Sequence, residues 1–257
     1  MKVAFSFICK QNRTPNVYMM MNTLENKVAY ITGGSKGIGY GIAKILLQQG
    51  MRVAITSRHL AAAQEAATSL TTDATKILAL ESEVSSMASE AKAVAAVTDH
   101  FGQLDVVVAN AGVGHFAPID TLSEEDWKRT IDTNLTGVFN TVKSCIDALK
   151  KSEGYIITIA SLAGTNFFEQ ASAYNASKFG LVGFTQAVML DLRKYGIKVS
   201  TIMPGSVATH FAGHTPNAED AWKIQPEDIG QLVLDILMMN PRTLPSKIEV
   251  RPSKPSK

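Results

Sequence analysis

Val28-Ala29-Tyr30-Ile31-Thr32-Gly33-Gly34-Ser35-Lys36-Gly37-Ile38-Gly39 decides the fold of this chain. The apolar, β-rich run at 28–32 passes straight into glycines and then into a helix-like stretch at 38–49. Glycine permits the tight turn, lets a phosphate approach the backbone, and allows the helix to pack close. The free N–H groups at the helix start then face any anion bound there. Glycines are scattered along the chain, 18 in all, so the order strand, loop, helix carries the weight. The spacing Gly-x-x-x-Gly-x-Gly lacks the Gly-Lys-Ser/Thr ending of an ATP-binding loop, and a dinucleotide's pyrophosphate is the expected guest.

Outward from this stretch, strand and helix alternate. Strands are predicted at 28–32, 52–56, 76–80, 104–109, 155–160, 198–203 and 247–250, and helices at 38–49, 60–70, 85–101, 124–150, 172–195 and 226–239. Most strands are apolar on both faces, as in a parallel sheet covered by helices on each side. Alternation with right-handed crossovers predicts an α/β, doubly wound sheet of about seven strands in a single domain over 24–251. Residues 252–257 read as a mobile tail. In such a sheet ligands bind outside the carboxyl ends of the strands.

The 257 residues carry 25 Lys+Arg against 23 Asp+Glu, a net charge of +2 without long single-sign runs, which argues against a nucleic-acid grip. Two cysteines, Cys9 and Cys145, make no disulfide framework or metal cluster and fit a reducing cytoplasm. No apolar run approaches the ~20 residues that cross a bilayer. Residues 1–23 read as a disordered leader. The apolar stretch after Lys2 is a short signal-peptide core at best, because Lys10-Gln11-Asn12-Arg13 stands where a cleavage site belongs.

An NAD-binding sheet expects an acid at the end of the second strand to hold the ribose hydroxyls. Here that end reads Thr56-Ser57-Arg58-His59. A carboxylate would repel a 2′-phosphate, whereas Arg58 can fork onto one and Lys36 can add a second charge. NADP(H) is therefore expected over NAD(H), the alternative being that both are solvated helix-start residues.

Tyr-x-x-x-Lys occurs twice, at Tyr40/Lys44 and Tyr174/Lys178. Either pair shares a helical face. Tyr40 follows Gly39 on the cradle helix, whereas Tyr174 opens the helix after the fifth strand, which ends at Ser161 beside the expected cleft. The second pair is the candidate. Moving a phenol from ~10 to ~7 takes about 4 kcal/mol of preference for the anion. An ammonium ~4 Å away supplies about that much at an effective dielectric near ~20. Ser161 can hold a carbonyl or hydroxyl while Tyr174 exchanges the proton and hydride passes at nicotinamide.

With these residues in view, the sequence resembles the short-chain dehydrogenase/reductase family, a Rossmann-type fold, from about Leu24 to Val250. The matching motifs are the 32–39 cradle, Asn110-Ala111-Gly112, Asn134 in Asp132-Thr133-Asn134-Leu135-Thr136-Gly137, Ser161, Tyr174/Lys178 and Pro204-Gly205. The resemblance implies a catalytic tetrad of Asn134, Ser161, Tyr174 and Lys178, with Asn134 holding a relay water and Lys178 lowering the Tyr174 pKa and binding ribose. It implies that Asn110, Ala111 and Gly112 line the adenosine side and that Pro204, Gly205, Val207 and Thr209 meet nicotinamide. It also implies a homotetramer pairing through 124–150 and 172–195. Two departures stand out. Glu83-Val84 replaces the usual Asp-Val near adenine, and a short stretch after Pro204-Gly205 predicts a small lid over an open pocket.

The expected activity is reduction of a carbonyl or oxidation of a secondary alcohol, with a 3-oxoacyl thioester leading because the chain is similar to 3-oxoacyl-carrier-protein reductases. A non-catalytic cofactor sensor on the same fold is the alternative. His115, His210 and His214 fall in cleft loops without the carboxylates or cysteines of a metal site. Phe116, Phe167, Phe168 and Phe211 are read as an apolar pocket wall, with core packing equally open for Phe167 and Phe168. Trp127, Met238 and Met239 read as core. Lys128, Arg129, Arg193 and Lys194 read as solvated helix charges, or as a dock for an acidic carrier protein.

Overall fold

β1 (Val28–Ile31), buried along its whole length, lies inside the sheet, because the crossovers run in one direction from it and then in the other. A computed structural model describes residues 23–254; the leader predicted over 1–23, including Cys9, lies outside them except for its last residue. The remaining strands are β2 (Arg52–Ser57), β3 (Ile77–Glu81), β4 (Val106–Ala109), β5 (Tyr155–Ile159), β6 (Lys198–Pro204) and β7 (Lys247–Val250). They form one seven-stranded sheet in the order β3-β2-β1-β4-β5-β6-β7, with every pairing parallel. The order reverses between β1 and β4, and the crevice outside their carboxyl ends is where a ligand fits.

Neighbouring strand residues point to opposite faces, which produces two cores. Tyr30, Val107, Ile156 and Val199 pack beneath α3 (Met87–Phe101), α5 (Gly137–Ser152) and α6 (Ser172–Leu192). Ile31, Val108, Ile157 and Ile202 pack beneath α1 (Gly37–Gln48), α2 (Leu60–Leu70) and α7 (Pro226–Met238). α1 and α7 touch backbone to backbone. A Cβ on Gly41 would lie 2.5 Å from the Pro226 carbonyl oxygen, and one on Gly230 would lie 2.7 Å from that of Gly41.

The helix predicted over 124–150 is two helices. α4 (Glu124–Ile131) is followed by a π-helical turn, Asp132–Thr136, before α5. Inside that turn the Asn134 side chain bonds the backbone of Val113 and the hydroxyl of Ser177 on α6, in keeping with the habit of π turns to occur at functional sites. A second polar anchor lies under β3. Glu90, fully buried, accepts hydrogen bonds from Tyr30 (3.1 Å), Ser82 (2.5 Å) and Thr141 (2.7 Å), tying β1, α5 and the end of β3 together.

Candidate active site

The glycine cradle is as tight as its sequence requires. Gly33 and Gly37 hold φ of +65° and +59°, the left-handed region that glycine enters without penalty. A Cβ on Gly33 would come within 3.0 Å of Ala111 Cα, and one on Gly37 within 3.3 Å of the Thr209 methyl. Gly39 is buried rather than cleft-lining. Its Cβ would meet the Asn110 amide and the Gly33 carbonyl oxygen, both at 2.6 Å. Thr32, which sequence reasoning missed, stitches the two switch-point strands: its hydroxyl accepts the N–H groups of Asn110 (3.0 Å) and Ala111 (3.1 Å). Asn110 returns its amide to the carbonyls of Thr32 and Gly33 at 2.9 and 3.1 Å.

These residues open on a cleft of about 2050 Å³, beyond the ~300–1,000 Å³ of ordinary small-ligand pockets and large enough for an extended ligand. Gly33, Ser35, Lys36, Gly37 and Ile38 line one end. Ser57, Arg58, Glu83 and Val84 line the same end, with Asn110, Ala111 and Gly112 between the two halves. Lys36 and Arg58 are exposed and, among the described residues, form no ion pair. Glu83 folds its longer arm back onto Ser85, accepting from that residue's N–H (3.2 Å) and hydroxyl (3.0 Å). Thr56 also lines the cleft, and its buried hydroxyl lacks a partner among the described residues. Glycines that exclude a Cβ, an orphaned hydroxyl and two unpaired cations make a donor set that fits a phosphorylated dinucleotide.

The same cleft is lined by Ser161, Tyr174 and Lys178 and by Pro204, Gly205, Val207 and Thr209. Ser161 follows β5, its oxygen held by the Ala163 N–H at 3.1 Å. Tyr174 lies in the first turn of α6, where the positive end of the helix dipole favours an anion. Lys178, one turn on, places Nζ 5.7 Å from the phenol ring centroid and donates to the Ile159 carbonyl at 3.1 Å. Asn134 lies behind this lining. Its Oδ1 accepts from Val113 N (2.8 Å), and its Nδ2 donates to Val113 O (2.9 Å) and Ser177 Oγ (3.1 Å). A Cβ on Gly112 would lie 3.3 Å from Asn134 Oδ1 and 3.8 Å from Lys178 Nζ, so the three residues converge.

The electrostatics depart from the expectation. Burial pushes the Tyr174 phenol above its ordinary value, with the Ser161 hydroxyl pulling the other way. Burial also brings Lys178 down to about 8. In the protein alone, burial and not the lysine sets the direction of the phenol's shift.

Tyr40 and Lys44 do not share this chemistry: Tyr40 bonds Ser69 at 3.0 Å and Lys44 pairs with Glu227 at 2.9 Å. Asn175, unremarked in the sequence, pins the loop after β5 by donating to Ala163 O (2.7 Å) and Asn166 O (2.8 Å). Phe167 and Phe168 are exposed, not core, and line the cleft with Phe116 and Phe211. Trp127, Met238 and Met239, read as core, are also partly exposed. Pro252, Ser253 and Lys254, read as tail, reach the cleft rim, with Pro252 against Gly205. Nδ1 of His115 lies 3.2 Å from Asp126, and its buried Nε2 has no partner among the described residues. No helix among the described residues is long and apolar enough to cross a membrane.

Comparison with known proteins agrees with this layout. The chain is 32% identical over 233 residues to an uncharacterised oxidoreductase of Staphylococcus aureus (strain MRSA252), covering 90% of this chain and all of that one. It is 30% identical over 239 residues to the glycine betaine reductase of Emericella nidulans, but spans only 19% of that protein's length against 89% of its own. An alcohol dehydrogenase from the archaeon Thermococcus sibiricus, solved with 5-hydroxy-NADP, superposes with a TM-score of 0.84 at 28% identity, covering 91% of this chain and 100% of that one. A 3-ketoacyl-(acyl-carrier-protein) reductase from Brucella melitensis, solved with NADH, gives 0.80 at 25% identity, covering 90% and 98%. The family model for short chain dehydrogenases matches residues 27–220, and with the sheet order and cleft just described it follows that this chain belongs to the short-chain dehydrogenase family and is an oxidoreductase.

Proposed function

We propose that this protein is an NADP(H)-dependent oxidoreductase interconverting a carbonyl and a secondary alcohol, with Asn134, Ser161, Tyr174 and Lys178 as its catalytic set. The observation that carries the reading is the buried Tyr174, with Ser161 and Lys178, lining the same cleft as the glycine cradle. Gly33, Ser35, Gly37 and Ile38 would hold the pyrophosphate, and Lys36, Ser57 and Arg58 the 2′-phosphate end. When bound, the dinucleotide would supply the hydride and, in its oxidised form, a positive ring charge. Ser161 would fix the substrate oxygen by donating a hydrogen bond, and Tyr174 Oη would give up or recover the proton. Lys178 would bind ribose and, as an ammonium, favour the phenolate. Asn134 would hold the loop through Val113 and complete the relay to solvent.

Three solved relatives bound to NADP or its 5-hydroxy analogue support the cofactor choice, although another was solved with NADH. The likeness to a 3-ketoacyl-(acyl-carrier-protein) reductase supports a 3-oxoacyl thioester, with Lys128, Arg129, Arg193 and Lys194 as a carrier dock. The buried free thiol of Cys145 supports a reducing cytoplasm. Half-exposed Phe139 and Phe179 on α5 and α6 support a homotetramer.

Replacing Tyr174 with Phe is expected to keep NADPH binding and lower turnover by about 10²- to 10⁴-fold, the usual weight of a general acid. Wild-type turnover in that variant would remove the role. Arg58→Ala is expected to cut the preference for NADPH over NADH by about 10- to 100-fold, the value of a charge-assisted hydrogen bond. Tight NADPH binding without turnover across acyl thioesters, ketones and sugars would favour a sensor.

A further inference from the structure

Two phenylalanines from separate loops pack on the phenol, and a third from another loop backs one of them. The Phe116 ring meets that of Tyr174 edge to face at a centroid distance of 5.4 Å, and Phe211 meets it at 5.5 Å. Phe116 also touches Phe211 at 6.2 Å and Phe168 at 5.8 Å. All three line the cleft and are exposed, by 38% (Phe116), 37% (Phe211) and 53% (Phe168), whereas Tyr174 is 8% exposed. Rings of this size are ordinarily buried, and a contiguous exposed apolar patch inside a concave site marks a ligand's apolar surface.

The backbone is shaped for this cluster. Phe211 opens a short turn whose next residues, Ala212 and Gly213, both take left-handed φ (+53° and +81°). Its ring then lies over Gly114, where a Cβ would be 2.4 Å from Phe211 Cζ and 3.1 Å from Phe116 Cε2. On the third side, the Phe168 N–H reaches the Asn175 side chain at 3.4 Å. The base of the rings is Tyr174, so a group gripped there lies beside the carbonyl that Tyr174 would protonate.

We propose that the substrate carbonyl bears an aromatic or similarly flat apolar group directly on its carbon, and that Phe116, Phe168 and Phe211, with the space left by Gly114, select it. This rests on the reading of Tyr174 as proton donor and narrows the substrate class: a 3-oxoacyl thioester would fit only with such a group on its 3-carbon, and a simple alkyl chain there would not be the preferred substrate. A polyhydroxylated chain would lose its water against these rings, which themselves offer no hydrogen bond in exchange.

The test compares kcat/KM with NADPH for acetophenone, butanone and fructose. Acetophenone is expected to exceed butanone by about 10- to 100-fold, the factor for burying a ring-sized apolar group, and fructose to be poorest. Phe211→Ala and Gly114→Ala, the second by displacing the Phe211 ring, are each expected to shrink the acetophenone-to-butanone ratio about 10-fold, chiefly through KM. NADPH binding verifies folding, and Phe168→Ala is the replacement if either variant fails that check. Equal or better use of butanone or fructose, an unchanged ratio in the variants, or a uniform rise for all substrates on removing Phe211 would overturn the substrate class while leaving the oxidoreductase intact. Reduction of none of the three, together with failure across a wider set of carbonyls, would instead overturn the role of Tyr174 and this proposal with it.

Discussion

Lys178 is a cation kept 5% exposed with one carbonyl for company, and the protein alone holds it near pKa 8. A lysine depressed in the folded state leaves the unfolded chain with more bound protons between about 8 and 10.5, so stability rises with pH across that window and the burden is full below it. Lys178→Met is therefore expected to raise stability at pH 7 by about 1–3 kcal/mol, part of the gain being offset by the lost hydrogen bond. The advantage should fade as pH approaches 10, which denaturant melts at several pH values would register. That Lys178 and Tyr174 share a face was legible from their spacing of four. Their burial was not, and it reverses the sign of the phenol's shift in the unliganded protein, because an i,i+4 rule contains no term for the dielectric.

Among the elements, the crossing of α1 and α7 depends on two hydrogens. Gly41→Ala would drive a methyl into the Pro226 backbone, which cannot swing aside as a side-chain end does, and is expected to cost about 1–3 kcal/mol or more in urea unfolding. Gly183→Ala, with open space around it on α6, is the contrasting substitution and should be near neutral or slightly stabilising. The strands and most helices could be read directly, because apolar runs on both faces and glycine turns are local features. The π turn could not, since one slipped hydrogen bond at Asp132–Thr136 leaves the amphipathic pattern of 124–150 almost unchanged. Nor could the seating of Phe211 on Gly114, which joins the loops after β4 and β6 and exists only once the sheet is assembled.

For the whole molecule, the exposed rings of Phe139 and Phe179 and the side chain of Leu190 (61% exposed) leave the α5/α6 side more apolar than a lone monomer needs. Light scattering is expected to give a tetramer, and Phe179→Asp to shift it toward smaller species; a monomeric wild type would remove the assembly. The α1–α7 contact also has a bearing on how the chain is made. The helix that carries the cradle is completed by a segment synthesised long after it, and until that segment arrives its glycine face has nothing to rest on. A nascent chain halted before Pro226 should therefore hold no nucleotide, however complete its cradle residues, and competence to bind should come only once α7 has been made.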